Sequence, residues 1–287
     1  MPSRPSRRVF LKHVTGASLL PAFARKARGA GRVIGVQLYT VRDFLSDPLR
    51  TLKALDEIGY REAELVGDSM EAVWPAIQQT RLKPVSVHVN PDVLFSPPAA
   101  EKFIGTAQSR GIRYIVYPWV AEKHRGAGAF RAFASKLNDF GRQCRAAGIR
   151  LCYHNHAFEF APAGSKTILE QLMEETDPGH VVLELDIFWV SITGNDPVQL
   201  LAKYKGRVPL MHVKDIAKGT AKRLDENVPP GAFKEVGSGS LDIPKMLEAG
   251  ASAGVEHFFV EQDETTGGPI SSLRASYAYL KALAFFS

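Results

Sequence analysis

The chain has few of the features that assign proteins to several common classes. It has two cysteines in 287 residues, too few for the disulfide framework of a small secreted domain. No glycine-rich phosphate turn follows the first apolar run, where Tyr39-Thr-Val-Arg-Asp43 stands instead, and this argues against a dinucleotide-binding open sheet. No low-complexity stretch or block of like charge occurs after residue 30. These absences favour a single globular α/β domain.

Positive charge is concentrated at the N-terminus. The formal net charge is +6, but residues 1–30 hold seven Lys or Arg and no Asp or Glu, so the remainder has a net charge of −1. Nucleic-acid binding draws most of its affinity from phosphate neutralisation by Lys and Arg. A body with no net basic charge therefore predicts no nucleic-acid partner.

The first thirty residues have the pattern of an export signal. Ser6-Arg7-Arg8-Val9-Phe10-Leu11-Lys12 precedes a short apolar stretch and a small-residue site such as Ala22-Phe-Ala24, as in a cleavable signal. The order closely resembles the twin-arginine (Tat) consensus. The apolar stretch is broken by Pro21 and is shorter than the roughly 20 residues of a membrane helix. We predict a Tat signal peptide at 1–30, contact with the Tat export machinery, a periplasmic or otherwise exported location, and a mature domain at 31–287.

Apolar runs alternate with amphipathic stretches through the rest of the chain, and short bounded apolar runs are typical of buried parallel strands. The predicted strands are Val33–Val41, Arg61–Val66, Pro84–Asn90, Tyr114–Trp119, Arg150–His156, Val181–Phe188, Leu210–Lys214 and Phe258–Gln262. Helical patterns occupy Pro48–Ile58, Phe130–Ala147, Pro197–Tyr204, Ile243–Ala253 and Ser272–Leu283. Glycines at 59, 111, 148 and 254 stand where helices end before the next strand. Eight such units predict a single-domain (β/α)8 TIM barrel.

Carboxylates and imidazoles close the last four of these runs. They are Asp186, His212 and Glu261, together with the segment His154-Asn-His-Ala-Phe-Glu159. The carboxyl ends of barrel strands meet at one face, where barrel enzymes place their catalytic groups. A carboxylate and imidazole set without thiolates suits a hard or borderline ion such as Mn²⁺, Mg²⁺, Co²⁺ or Zn²⁺. The pattern predicts one divalent metal ion and an enzyme.

Residues 33–285 resemble the sugar phosphate isomerase/epimerase superfamily of xylose isomerase-like TIM barrels. The motifs that carry the resemblance are Gly35-Val-Gln-Leu-Tyr39, His154-Asn-His-Ala-Phe-Glu159, Glu184-Leu-Asp-Ile-Phe-Trp189, His212-Val-Lys-Asp215, Val236-Gly-Ser-Gly-Ser240 and Val260-Glu261. The resemblance implies one metal ion held by side chains from strands five to eight. Here these are Glu159, or a histidine of the pair His154 and His156 in its place, followed by Asp186, His212 and Glu261.

Two positions depart from the pattern of the related epimerases. His154 stands about where many of them carry the first ligand glutamate, and Trp189 where some carry a catalytic histidine. We expect Glu159 to reach back from its loop as the first ligand, with His154 beside it. The full predicted metal set is Glu159, Asp186, His212 and Glu261. The predicted catalytic set is Glu159, Glu261, Lys214 and His156, and the predicted substrate-binding set is Tyr39, Glu64, His88, His154 and Trp189.

Simpler roles compete with several of these predictions. Glu64 and Glu184 are alternatively structural carboxylates inside the barrel, and His88 alternatively packs in the core. Lys214 is expected to have a pKa lowered by the nearby metal, or else to pair with Asp215. Tyr39 and Trp119 fit two roles equally well, as platforms for a sugar ring or as packing at the barrel mouth.

The resemblance implies an isomerase or epimerase that removes a proton next to a carbonyl and passes through an ene-diolate. The alternative is a lyase or dehydratase that eliminates a β-substituent from a keto-sugar or a 3-keto-glycoside. A barrel phosphodiesterase such as an apurinic endonuclease, or a non-catalytic sugar-binding protein, fits less well. The partner is a small carbohydrate, which export favours in unphosphorylated form, and the resemblance is compatible with a dimer or tetramer. The long gap from Asp215 to Asp242 is predicted to be a lid or substrate loop.

Overall fold

Eight parallel strands form a closed barrel in the computed structural model, which describes residues 32–125 and 129–287. The strands are β1 Gly35–Gln37, β2 Glu62–Val66, β3 Lys83–His88, β4 Tyr114–Tyr117, β5 Arg150–His154, β6 Val181–Asp186, β7 Leu210–Val213 and β8 His257–Val260. Each pairs with its neighbours in chain order, and β8 closes the barrel on β1. The predicted (β/α)8 fold is confirmed. The predicted signal peptide lies outside the described residues.

Helices surround the barrel on its outer side. They are α1 Pro48–Ile58, α2 Met70–Ile77, α3 Pro97–Ser109, α4 Ala129–Ala146, α5 Ile168–Glu175, α6 Ile187–Ile192, α7 Pro197–Lys203, α8 Ile243–Ala253 and α9 Pro269–Ala282. In α1 and α8 an aspartate side chain accepts a backbone N–H of the first turn, and a proline takes the first helical position of α1 and the second of α8. The glycines at 59, 111, 148 and 254 all have positive φ, as predicted for helix ends. No helix in 32–125 or 129–287 is long and apolar enough to cross a membrane.

The first strand is shorter than predicted. The pattern indicates Val33–Val41, but β1 ends at Gln37 and a 3-10 helix follows over Leu38–Phe44. The side chain of Gln37 accepts the backbone N–H of Tyr39 at 2.9 Å, and this local hydrogen bond turns the chain out of the sheet. The turn moves Tyr39 from the strand to the rim of the barrel, where 40% of it is exposed.

The barrel interior is apolar at the bottom and polar at the top. The lower layer consists of Val85, Tyr114, Val116, Cys152, Val182, Leu210 and Phe259. Because side chains alternate along a strand, the next inward residues of β5, β6 and β7 are His154, Glu184 and His212. Cys144 and Cys152 are buried free thiols. The polar groups therefore stand on an apolar floor that excludes water from below.

A carboxylate–histidine pair lies at the amino ends of the strands, opposite the polar layer. His257, at the start of β8, places Nδ1 2.6 Å from Oε2 of Glu62 at the start of β2, and its Nε2 contacts Arg113. The amino ends of barrel strands contribute to stability, while chemistry occurs at the carboxyl ends. This pair is a structural element, and it provides a matched control for the site at the other end.

Candidate active site

Four strand-end side chains converge at the carboxyl ends of β5 to β8. His154 and Asp186 are the last residues of β5 and β6, His212 pairs in register with Asp186, and Glu261 follows β8 directly. All four are at most 4% exposed. Neighbouring parallel strands end at the same level of the barrel, and the register brings residues distant in sequence to one point.

The atoms that face each other are ligand atoms with few hydrogen-bond partners. His212 Nδ1 lies 2.9 Å from Glu261 Oε2 and 3.7 Å from Asp186 Oδ2, and His154 Nε2 lies 3.8 Å from the same Asp186 oxygen. Asp186 Oδ2 and His212 Nδ1 are buried and lack an aligned hydrogen bond, and their nearest polar contacts are ion pairs with Lys214 and Glu261 respectively. Buried polar atoms are normally satisfied, and one ion between them satisfies both. Asp186, His212 and Glu261 offer ligand atoms within 4.8 Å of one another, so these residues fit a divalent ion.

Two buried glutamates lie beneath the histidines and orient them. Glu64 Oε1 is 2.6 Å from His212 Nε2, and Glu184 Oε2 is 3.2 Å from His154 Nδ1. A carboxylate on one ring nitrogen fixes the proton there and directs the lone pair of the other nitrogen outward. The two nitrogens that face Asp186, His212 Nδ1 and His154 Nε2, are therefore the ones that would bind an ion. Without one, burial opposes a charge on His212, but Glu184, Glu261 and Glu64 outweigh it and hold the pKa of His212 well above its usual value.

His88 joins the two glutamates. Its Nε2 lies 2.9 Å from Glu64 Oε1 and 3.0 Å from Glu184 Oε2, and Gln37 donates to Glu64 at 2.9 Å. Burial opposes a charge on His88, but the two carboxylates outweigh it and raise its pKa to about 9. Burial likewise opposes ionisation of Glu64, but His88 and His212 hold the pKa of Glu64 well below its usual value. Glu64 is ionised, and His88 supplies the positive charge that balances the buried acids.

A second group of ligand atoms overlaps the first one layer deeper. His88, His154, Glu184 and His212 also bring ligand atoms within 4.8 Å of one another. The nitrogens on this inner side are already engaged by Glu64 and Glu184, whereas the outer atoms of His212 and Asp186 are not. The outer group is the better metal site. The structure places Glu64 and His88, predicted to bind substrate, behind the ligands and not at the mouth.

Lys214 occupies the centre of a carboxylate cage. Its Nζ lies 2.6 Å from Glu261 Oε2, 3.1 Å from Asp186 Oδ2 and 3.0 Å from Asp263 Oδ2. Burial opposes the charge, but the carboxylates of Asp186, Asp263 and Glu261 outweigh it and raise the pKa of Lys214 well above its usual value. The carboxylates alone hold Lys214 as an ammonium, and the lowering predicted for a bound metal stays a prediction. Lys214 is a cation at the rim of the candidate metal site.

Asp215 points away from Lys214 and organises the following turn. Its carboxylate accepts the backbone N–H groups of Gly237, Gly239 and Leu241 at 2.9, 3.0 and 3.1 Å. A Cβ at Gly239 would lie 2.2 Å from Asp215 Oδ1, so only glycine permits this approach. Convergent backbone N–H groups are the usual cradle for a phosphate, and here a carboxylate of the chain fills it.

Glu159 is not brought to the metal ligands. It lies in a 3-10 turn, Phe158–Phe160, that curls behind β5. Tyr153 donates its hydroxyl to Oε1 at 2.6 Å, and the backbone N–H of His156 donates to Oε2 at 2.9 Å. Burial raises the pKa of Glu159 to about 8. The carboxyl therefore fixes the loop that carries His156, and His154 stands where the first ligand was expected.

His156 and Trp189 form one wall beside the ligands. Their ring centroids are 5.0 Å apart, and the His156 ring is 4.9 Å from that of His154. His156 Nδ1 and Trp189 Nε1 are buried without a hydrogen-bond partner. Burial, assisted by the Lys214 charge, lowers the pKa of His156 to about 3, so its imidazole is neutral at physiological pH. These two atoms are available to a bound molecule.

Asp186 also begins the helix that carries this wall. Its Oδ1 accepts the backbone N–H groups of Phe188 and Trp189 at 2.8 and 3.0 Å, which caps α6, while Oδ2 faces the histidines. The predicted strand Val181–Phe188 stops at Asp186 because this cap starts the helix. One carboxylate thus serves the ligand group and the indole wall.

Three residues at the mouth are absent from the predicted site residues. Asp263 lies two positions after Glu261 and so shares its inward face, a signal that alternation does supply. Glu226 and Arg125 come from separate loops and meet at 2.7 Å. Neither loop has a periodic sequence pattern. The two residues are 101 positions apart and meet only because the closed barrel brings their loops together.

The fold is a TIM barrel, and the cluster at the carboxyl ends of its strands is a candidate metal site. The chain belongs to the xylose isomerase-like TIM barrel family, whose model matches residues 96–283. An inosose dehydratase of Geobacillus thermodenitrificans is 30% identical over 157 residues, which cover 50% of this chain and 51% of that protein. The chain spans about half the length of the curated relatives it matches.

Several solved structures share this barrel fold. A sugar phosphate isomerase/epimerase from Parabacteroides distasonis superposes with a TM-score of 0.69 at 24% identity, over 93% of this chain and 100% of that chain. A 3-keto-D-glucoside 4-epimerase from Escherichia coli gives a TM-score of 0.65 at 16% identity, over 88% of this chain and 100% of that chain. At these identities the likeness shows the fold.

Proposed function

We propose that the protein is a divalent-metal-dependent lyase or dehydratase that eliminates a β-oxygen substituent from an unphosphorylated keto-sugar. The observation that carries the proposal is the set of buried ligand atoms on His154, Asp186, His212 and Glu261 that face one another at the carboxyl ends of the strands. These four side chains would hold the ion. A bound ion supplies polarisation of the substrate carbonyl and stabilises negative charge on its oxygen.

The remaining groups supply proton transfer. His156 Nδ1, buried and without a hydrogen-bond partner, accepts the proton from the carbon next to the carbonyl as that carbon–hydrogen bond breaks, although burial and the Lys214 charge, which lower its pKa to about 3, make it a weak base. The electron pair forms the carbon–carbon double bond as the β-carbon–oxygen bond breaks. Lys214, an ammonium beside the ligands, donates a proton to the departing oxygen. The products are an enone and an alcohol or water.

Elimination is favoured over epimerisation by the residue at the end of β5. Epimerisation removes a proton from one face of a carbon and returns one to the other, so it requires acid–base groups on both sides. The glutamate that many related epimerases carry is replaced by His154, whose Nδ1 is engaged by Glu184. Glu159, the other candidate, is turned away. The name of the curated relative, inosose dehydratase, points the same way.

An unphosphorylated substrate is favoured by the state of the anion-binding groups. Asp215 occupies the N–H groups of the turn at 237–241. Two cations at the mouth, Lys214 and Arg125, are each paired with carboxylates. A phosphate would have to displace these internal partners. The export signal proposed for residues 1–30 agrees with a substrate found outside the cytoplasm.

The reaction is tested with metal-loaded protein in D₂O. We expect a panel of keto-inositols and 3-keto-glucosides to yield an enone and a released alcohol or water, seen by absorbance and mass spectrometry. Deuterium incorporated at one carbon without any release would instead establish epimerisation. The variant Asp186→Asn, which keeps the volume of the side chain, should lose bound metal and turnover together. Turnover that persists in metal-free protein would overturn the proposal.

Export is tested separately. We propose that residues 1–30 direct the folded domain through the Tat route. A reporter fused after residue 30 should reach the periplasm, and changing Arg7 and Arg8 to Lys should retain it in the cytoplasm. Export of both fusions alike would contradict the twin-arginine assignment.

A further inference from the structure

We infer that Trp119, Arg125 and Glu226 form an outer subsite that binds the second ring of a glycoside, so that the leaving group is a sugar and not water. This inference rests on the proposed function and specifies its substrate. The three residues come from the loop after β4 and the long loop after β7. They meet at the mouth, beside the metal ligands.

The subsite is a fixed arrangement. Glu226 accepts the indole N–H of Trp119 at 2.9 Å through Oε1 and a guanidinium N–H of Arg125 at 2.7 Å through Oε2. Arg125 also donates to the carbonyl of Val120 at 2.7 Å, and it lies 3.5 Å from the ring centroid of Phe158. The guanidinium is thereby held from three sides. Its position orients both the carboxylate and the indole before any ligand arrives.

The indole of Trp119 stays open although its N–H is engaged. Arg125 lies 5.1 Å from its ring centroid, and 37% of Trp119 remains exposed. A large aromatic surface left in water at a barrel mouth favours a ligand that covers it. A sugar ring suits the position because its C–H face packs on the indole while its hydroxyls reach the adjacent carboxylate and guanidinium.

His156 links the outer residues to the strand-end cluster. Its Nε2 lies 3.9 Å from Glu226 Oε1, and its ring centroid lies 4.9 Å from that of His154. A keto-sugar lying over His156 and Trp189 fills the inner position. The next ring of a glycoside then reaches Trp119. A single small ring would leave the outer position empty.

The charges of the subsite select a neutral ligand. Glu226 and Arg125 neutralise each other at 2.7 Å, and both side chains are less than one quarter exposed. A phosphate or carboxylate on the outer ring would meet Glu226, and a cationic ring would meet Arg125. The expected ligand is therefore an uncharged hexosyl group.

The subsite can be tested first without any reaction. Isothermal titration compares cellobiose and maltose with the corresponding methyl glucosides, none of which carries the keto group. We expect at least one disaccharide to bind wild-type protein about tenfold more tightly than its methyl glucoside. Trp119→Ala and Glu226→Gln should abolish this preference, and Phe44→Ala, an exposed aromatic in the 3-10 helix after β1, should retain it. Equal affinities for wild type would overturn the inference.

Turnover gives the second test and separates the two proposals. With 3-keto-cellobiose, 3-keto-maltose and their methyl counterparts, the ratio of kcat/KM values should favour a disaccharide and should fall about tenfold in Trp119→Ala. Equal losses on both substrates would mean that Trp119 only joins its loop to the long loop through Glu226, and this would overturn the subsite. A disaccharide preference in binding without any elimination would refute the proposed reaction and leave the subsite standing.

Discussion

Replacing Glu159 by glutamine separates its two candidate roles. The structure puts this carboxyl behind β5, on Tyr153 and the backbone of His156, whereas the sequence predicts a metal ligand. Burial raises its pKa from 4.5 to about 8. Below pH 4.5 both the folded and unfolded chains hold the proton. Between 4.5 and 8 the unfolded chain releases it first, so the native state loses stability as pH rises. At about 1.4 kcal/mol per pH unit, the loss reaches about 5 kcal/mol.

The variant removes this loss but weakens a hydrogen bond. Its amide nitrogen faces the N–H of His156 or the hydroxyl of Tyr153, which costs roughly 1–3 kcal/mol at every pH. We expect Glu159→Gln to be less stable than wild type at pH 5 and more stable, by about 2–4 kcal/mol, at pH 9. Urea unfolding at a series of pH values measures the difference. Glu101→Gln, the same change at an exposed helix position, should show no reversal.

Metal affinity completes the experiment. By titration calorimetry with Mn²⁺ or Zn²⁺, Glu159→Gln should bind within about twofold of wild type. His154→Ala should lose about 100-fold or more, since even residues behind the ligands are worth about 10- to 100-fold. A stability difference that does not change with pH, or a large loss of metal affinity in the glutamine variant, would refute the structural role and restore Glu159 as a ligand.

Three further variants test the layers of the site. Glu64→Gln should weaken metal binding about 10- to 100-fold by releasing the histidine ring above it, whereas Glu62→Gln, at the other end of the barrel, should not; equal effects would refute the orienting role. Lys214→Met should lower kcat about 100-fold or more yet bind metal more tightly, because a competing cation is removed, and weaker binding would contradict this. Gly239→Ala should destabilise the fold by about 1–3 kcal/mol in thermal unfolding, while Gly231→Ala, in open space, should have little effect.

The fold is largely predictable from the sequence because its signals are local. Buried strands are short apolar runs, helices end at glycines, and the alternation of the two determines the closed barrel. The errors occur where a side chain competes with the backbone. Gln37 ends β1 and Asp186 ends β6 by accepting nearby N–H groups, and neither hydrogen bond leaves a periodic trace.

The site is predictable only in part for the same reason. Asp186, His212 and Glu261 sit at strand ends, so the barrel alone brings them together. Glu159 lies beyond a strand end, and its direction depends on a turn and on the hydroxyl of Tyr153. Lys214 illustrates a different failure. The sequence shows a lysine near a metal site, but its pKa depends on three carboxylates whose distances only the structure supplies.

The carboxylate of Asp186 couples the ligand group to the indole of Trp189. One oxygen faces the ligand group, and the other holds the first turn of α6 and with it the indole of Trp189. Any change at the ligand side is transmitted through a single rigid group to an aromatic ring that lines the reaction space. The charge at the ligand group and the position of the Trp189 indole are therefore coupled through one side chain. A change at Asp186 that alters the proposed ion site therefore also moves the indole of Trp189.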